Sequence, residues 1–269
     1  MKKLILLAAL PFLLSSCAST YFYSYLNTET PTTTKVENGD FVFENDSLWI
    51  AHSFNGENAP IQITVYNKLN VPMYVDWGRS ALIIQDQAIS YEGNVMRFEG
   101  SANTYINSPD RAVSDMTGMM SLPSNVSFIP PRTKVSNSNL NLNFGLQSMI
   151  RQPYRDAHMG NKLGEKRSVK RSDFSAEDAP FKFTSYVTIY TSPDKPQSYE
   201  QDFYIASLIK TNAIAPRELP GDMSTRGDMF YIEKPANNTG WEVLLGASII
   251  AGAAVLNAKT NYGSNTYYY

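Results

Sequence analysis

The feature that most restricts this chain is a period-two alternation of apolar and polar residues, repeated along its middle with no helical run between the repeats. Ile61, Ile63 and Val65 alternate with Gln62, Thr64 and Tyr66, and Val71, Met73, Val75 and Trp77 alternate with Pro72, Tyr74 and Asp76. Successive side chains of a strand point to opposite faces, so the pattern predicts two strands, each buried on one side, joined by the short turn Asn67-Lys68-Leu69-Asn70. Pro72 has no N–H to give to a ladder and is expected near a strand start or on an edge. Ser80 to Gln85 and Asn139 to Phe144 give further strands. Phe181, Phe183, Val187 and Ile189 alternate with Lys182, Thr184, Tyr186, Thr188 and Tyr190. With Tyr199 to Lys210 they predict a hairpin across Pro193-Asp194-Lys195-Pro196. The 17 Tyr and 13 Phe, with abundant Asn, Ser and Thr, suit strands and polar loops better than helices. The expected fold class is therefore mainly β, a sandwich of two antiparallel sheets with long loop insertions and one C-terminal hydrophobic helix.

The N-terminus has a different logic. Lys2 and Lys3 precede an almost wholly apolar run from Leu4 to Leu14, then two serines lead into Cys17, the single cysteine of the chain. A charged start, a short apolar run and small residues form an export signal, and about 11 residues are too few to span a bilayer, which needs roughly 20. Taken alone, these residues also fit an ordinary signal peptide with a chance cysteine, or a buried thiol. The stretch Leu14-Ser15-Ser16-Cys17 resembles the bacterial lipobox. That resemblance implies that residues 1–16 are removed, that Cys17 becomes the first residue of the mature chain, and that its thiol and new amino group carry fatty-acyl chains such as palmitate. Lipidation at Cys17 would make it an anchor to the membrane rather than a nucleophile. Ala18 in the place where Asp signals inner-membrane retention implies the cell outer membrane, facing the periplasm.

After Cys17, Ala18 to Tyr25 is small and aromatic, and Asn27 to Lys35 reads N-T-E-T-P-T-T-T-K. That composition predicts an extended tether over residues 17–38, ahead of a β-sandwich domain over 39–235 and a hydrophobic helix with a Tyr-rich tail over 236–269. Phe128-Ile129-Pro130-Pro131 leads toward another strand. The order of features from Phe41 to Lys210 resembles the immunoglobulin-like domains of many bacterial lipoproteins, with Trp77 as the candidate core tryptophan and no cysteine pair to pin the sheets.

Removal of residues 1–16 from 269 leaves 253, enough for one large domain or two small ones, and loss of Lys2 and Lys3 moves the formal charge from -2 to -4. No global field then attracts nucleic acid or anionic lipid. With Cys17 acylated, no thiol is left for an intramolecular disulfide. Residues 107–125, rich in Ser, Met, Pro and Asn, are expected as a long loop. Residues 151–173 form the one strongly basic stretch, with Arg151, Arg155, Lys162, Lys166, Arg167, Lys170 and Arg171 against Asp156, Glu165 and Asp173. It reads as a solvated loop or, functionally, as a contact for phosphate-bearing lipid, anionic glycan or an acidic partner. Gly160, Gly164 and Lys166 do not satisfy the spacing of a phosphate-binding loop.

Trp241 to Ala258 is apolar or small on every side of a helix, which places such a helix in a core or in lipid. Val243 to Ala258 would span about 24 Å at 1.5 Å per residue, against about 30 Å of hydrocarbon. Packing on its own domain or a partner, insertion in the membrane, and self-association all stay open. Ala247 with Ala251, and Ser248 with Gly252, put small residues four apart, the spacing that permits close helix approach.

No catalytic, metal or cofactor constellation emerges. His52 and His158 are the two histidines, far apart and expected at surface or turn positions. G-x-S-x-G and H-E-x-x-H do not occur. Glu44, Asp46 and Asp86 have no spacing that selects a carboxylate pair. Asp76 is expected to face outward by alternation, and Arg226-Gly227-Asp228 matches an adhesion tripeptide that recurs by chance. Three functions remain. The first is a non-enzymatic structural or accessory lipoprotein of a cell-envelope assembly, held to the membrane by N-terminal acyl chains, with an envelope protein complex as the candidate partner docked by its helix. The second is an envelope glycan or carbohydrate-binding module, favoured if Tyr66, Tyr74, Tyr186 and Tyr190 form one exposed row. The third is a hydrolase with dispersed site residues.

Overall fold

The computed structural model describes residues 19–92, 97–108, 111–121, 125–142 and 151–234. Cys17, and the apolar run with Ala247, Ser248, Ala251 and Gly252, lie outside them. The described chain is mainly β. Its first eight strands are β1 (Thr20–Thr28), β2 (Thr33–Lys35), β3 (Phe41–Glu44), β4 (Leu48–Ser53), β5 (Gly56–Glu57), β6 (Pro60–Asn67), β7 (Met73–Ile84) and β8 (Gln87–Ser90). Then come β9 (Arg97–Ser108), β10 (Arg111–Ser121), β11 (Val126–Ile129), β12 (Lys134–Asn141), β13 (Arg155–Gly160), β14 (Lys166–Asp173), β15 (Lys182–Tyr190), β16 (Gln197–Thr211) and β17 (Met229–Lys234). A single 3-10 turn at Pro216–Glu218 and a four-residue helix at Gly221–Ser224 precede β17.

The larger sheet runs β11-β7-β15-β16-β1-β17-β5, with β8 on the far half of β7 and the β13–β14 hairpin on the far half of β16. The smaller runs β12-β6-β4-β3-β2. The two face each other in a sandwich-like arrangement around one core. Ile50, Ile61, Ile63 and Val65 from the small sheet meet Val75, Trp77, Phe183, Val187 and Ile205 from the large one. Rings interlock across the gap, with Phe41 and Phe203 centroids 5.1 Å apart and Phe54 and Phe203 also at 5.1 Å, both edge-on. Such tilted pairs add to the burial of apolar area that drives the sheets together.

The alternating stretches become strands with the expected inward residues, except that Val71 lies before β7 and is 51% exposed, and Phe144 lies outside the described residues. The β15–β16 hairpin forms as expected. β6 and β7, however, do not pair with each other. β6 lies between β12 and β4 while β7 lies between β11 and β15, so the Asn67 turn crosses from one sheet to the other. Buried Asn67 organises that crossing, its amide donating to the Val71 carbonyl at 2.8 Å while its oxygen accepts from Leu69 N–H at 2.9 Å. Alternation fixes which face of a strand is buried but not which strand it joins.

Three further expectations are corrected. The tether over residues 17–38 is not a tether where the structure describes it. β1 pairs with β16 on one side and β17 on the other, and β2 closes the edge of the small sheet. The Thr/Pro composition beyond Asn27 obscured the run T-Y-F-Y-S-Y-L-N-T, which has a ring or apolar group on both faces because both faces are covered. The loop expected over 107–125 is for most of its length β10, paired in register with β9 as a two-stranded ribbon. The basic insertion is the β13–β14 hairpin, joined to the large sheet through Lys170 opposite Lys210 and Asp173 opposite Ser207.

Asp76 keeps its outward parity yet is nearly buried, because β7 bulges beside it. Thr188 of β15 sits opposite Asp76 while Tyr186 sits opposite Ala81, so extra residues loop out of β7. Ser80 Oγ plugs the gap, donating to the Asp76 carbonyl at 2.5 Å and accepting from Thr188 N–H at 2.9 Å. The bulge also switches parity, from Met73, Val75 and Trp77 inward to Ser80, Leu82 and Ile84 inward. Trp77 is a core residue, its Nε1 donating to Ser127 Oγ at 2.7 Å.

Candidate functional site

The outer face of the large sheet, away from the small sheet, carries a second core. Tyr21, Tyr23 and Tyr25 of β1 point there, while Phe22, Ser24 and Leu26 point inward. Tyr23 packs with Met159, Val169, Ile209, Ile214, Leu219 and Met229 beneath the segment that links β16 to β17. Its hydroxyl donates to the Ile214 carbonyl at 2.8 Å, and burial raises its pKa. Beside this core lies a groove of about 500 Å³, floored by Tyr25, Met159, Val169 and Ile209 and rimmed by Lys35, His158, Arg171, Asp222 and Arg226.

Asp228 anchors that groove. The side chain is 1% exposed, and Arg226 grips it with Nε to Oδ1 and Nη2 to Oδ2 at 2.8 Å each. Lys35 of β2 also pairs with Asp228 and donates to the Leu26 carbonyl at 3.0 Å. Gly39, at φ +87°, lies against the same carboxylate where a Cβ would overlap it. The hydrogen bonds to Asp228 raise the Arg226 pKa, while burial, followed by the charge of Asp228, raises that of Tyr25. An adhesion tripeptide must present its carboxylate, and Asp228 is spent on joining the turn before β17 to β2.

Of the residues expected to form a basic contact, Arg171 alone reaches this groove, its guanidinium held by Asp173 at 2.8 Å. Burial works to raise the Asp173 pKa, but hydrogen bonds from Arg171 and Ser207 outweigh it and leave it lowered. Arg155 stands opposite Arg171 across the hairpin. Arg151 is exposed in the turn before it. Lys162 belongs to the hairpin tip, and Lys166, Arg167 and Lys170 line exposed β14. Arg167 pairs with Glu165 at 2.6 Å and Lys170 with Asp156 at 2.7 Å, the latter lowering the Asp156 pKa through its hydrogen bond.

The histidines part company. His158 is exposed on β13, but His52 is 1% exposed in the core rather than at a surface or turn. Its Nε2 lies 2.7 Å from Ser185 Oγ, which also accepts from the Tyr91 hydroxyl at 3.0 Å. With two lone pairs, Ser185 Oγ can accept from Tyr91 and still either donate to or accept from Nε2, so the contact links the rings in either tautomer. Burial lowers the His52 pKa to about 3. A serine beside a histidine is the beginning of a nucleophilic pair. Here both are sealed among Phe54, Phe183 and Phe203, so the pair joins sheets rather than opening on solvent. A signal for it existed, since His52 and Ser185 interrupt the inward series Leu48-Ile50-His52 and Phe183-Ser185-Val187.

The expected tyrosine row divides between the two outer surfaces. Tyr66 stacks on Trp49 of the small sheet at 5.6 Å, whereas Tyr74 stacks on Tyr190 of the large sheet at 5.3 Å, next to Phe128, which is 54% exposed. Among the described residues no group of three or more His, Cys, Asp or Glu is placed to hold a metal ion, and no helix is long and apolar enough to cross a membrane. The chain matches no protein-family model, no curated protein and no solved structure.

Proposed function

We propose that this chain is an outer-membrane-anchored lipoprotein, held through acyl chains on Cys17, that acts as a non-enzymatic structural or accessory component of a cell-envelope assembly. The carrying observation is that β1 starts at Thr20, three residues beyond Cys17, and lies between β16 and β17. An acylated Cys17 would then hold the domain directly at the bilayer, where envelope assemblies are built. The β9–β10 ribbon, a sheet of its own, adds strand edges of the kind that pair with a partner chain. The immunoglobulin-like relation belongs to the same proposal and draws on Trp77 at the centre of two facing sheets.

The test is affinity purification of the detergent-solubilised protein, full length beside a chain ending at Gly240. Partners that accompany the full chain and are lost on truncation support an accessory subunit docked by its C-terminal segment. If neither form brings a partner, the accessory role fails. Glycan binding is then the second reading, favoured by the exposed cluster of Tyr74, Tyr190 and Phe128.

A further inference from the structure

The strand registers bring several independent features to one end of the large sheet. Thr20, where β1 begins, lies opposite Lys234, where β17 ends. Tyr21 lies opposite Thr211, the last residue of β16. The sequence that precedes Thr20 is the lipobox cysteine, and the sequence that follows Lys234 reaches the apolar run at Trp241. Both hydrophobic attachments of this chain are therefore connected to the same end of the same sheet.

The β13–β14 hairpin extends past that end. Lys170 is level with Lys210 and Val169 therefore with Thr211, so the residues from Ser168 back to the turn at 161–165 run beyond the terminus of β16. At about 3.3 Å per residue, the tip stands some 10 Å farther out than Thr20, which follows Cys17 by three residues in the sequence. The turn is firmly built. Asn161 Oδ1 accepts from Leu163 N–H and Glu165 N–H at 3.0 Å each, Lys162 N–H donates to the Glu218 carbonyl at 2.7 Å, and Gly164 takes φ +77°. Its outermost apolar side chain, Leu163, is 74% exposed, well above the other exposed large hydrophobic residues.

The charge at this end is positive. Lys162, Lys166, Arg167, Lys170, Lys210 and Lys234 gather there, against Asp156, Glu165, Glu218 and Glu233. A rigid turn that presents a bare leucine between lysines suits an interface in which the apolar group enters the headgroup region and the cations meet lipid phosphates.

Resting on the lipid-anchored reading, we propose that the β13–β14 tip, Leu163 with Lys162, Lys166 and Arg167, is a membrane-contacting foot. It seats this end of the sheet on an anionic phospholipid surface. Anchor and foot then attach the same end of the sheet, fixing the domain's orientation, and the β15–β16 turn points away from the bilayer.

Full-length acylated protein in vesicles of phosphatidylethanolamine and phosphatidylglycerol provides the test. With Cys17 acylated, Leu163→Cys supplies the one free thiol for an environment-sensitive fluorophore, and Asp194→Cys in the β15–β16 turn supplies a label at the opposite end. The label at 163 is expected to be quenched by lipid-borne nitroxides and shielded several-fold from iodide, and the label at 194 to show the reverse. Lys162→Glu with Lys166→Glu, read through the same label at 163, is expected to restore most of the iodide access. Equal iodide access at 163 and 194 in a chain whose mass shows acyl groups would overturn the foot and leave the anchor standing. An unmodified mature N-terminus by mass spectrometry would overturn the anchored reading and the foot with it.

Discussion

The two faces of the large sheet are made by the same strands and differ in how they are closed. On the inner face, Phe22 and Leu26 of β1 and Phe203, Ile205 and Leu208 of β16 lie under a complete second sheet. On the outer face, Tyr21, Tyr23 and Tyr25 of β1 and Ile209 of β16 are covered by a connecting segment and one hairpin, and a groove remains. The polar residues follow suit. The inner face hides His52, Ser185 and Tyr91 as a neutral, solvent-free chain of hydrogen bonds, whereas the outer face pairs the buried carboxylate of Asp228 with Arg226 and Lys35 at the groove's rim. Buried charge persists where paired cations reach it, and buried polarity without such partners stays uncharged.

That contrast is open to direct challenge. The largest effect is expected from Phe203→Ala, since the ring touches Phe41, Phe54, Phe183 and His52. Loss of about 3–5 kcal/mol in urea unfolding is expected for such a cavity, and a loss comparable to a surface substitution would mean that the sheets are not packed there. Asp228→Ala should follow at about 3 kcal/mol, because it strands Arg226 and Lys35, both part-exposed and so partly relieved by water. A neutral outcome would detach β2 from the groove.

The inner polar chain gives a pH signature. His52 has an ordinary pKa of 6.5 when unfolded and about 3 when folded. Below pH 6.5 the unfolded chain takes up a proton that the folded chain refuses, so stability is full above 6.5 and declines as pH falls toward 3. Between pH 6.5 and 5 this amounts to about 2 kcal/mol. In His52→Gln that segment of the pH dependence should flatten, although the variant is less stable throughout. At the small end, Arg167→Ala should change unfolding stability by less than about 0.5 kcal/mol, since its ion pair is exposed on both sides.

Much of this architecture was legible in local sequence. β6, β15 and β7 from Met73 onward appear as alternations with the correct inward residues, because a half-buried strand must write its parity into its side chains. Pairing was not legible. Nothing local in Ile61 to Trp77 states that Asn67 carries the chain from one sheet to the other. β1 escaped because it is covered on both faces and so does not alternate in polarity. The role of Asp228 escaped because Lys35, its partner from β2, reaches it through topology, although Arg226 stands two residues away in the tripeptide. The charge of the 151–173 stretch was plain, but its placement at the end of the sheet that leads to Cys17 depends on the register of β14 with β16.

The central claim, that this fold is attached to a membrane through Cys17, is tested most directly by Cys17→Ser in cells, following palmitate incorporation, signal removal and fractionation. The expected result is an uncut precursor that incorporates no palmitate, beside a shorter, labelled wild-type chain in the outer-membrane fraction. Identical processing and membrane retention for both would contradict the anchor, and with it the orientation of the sheet on the bilayer.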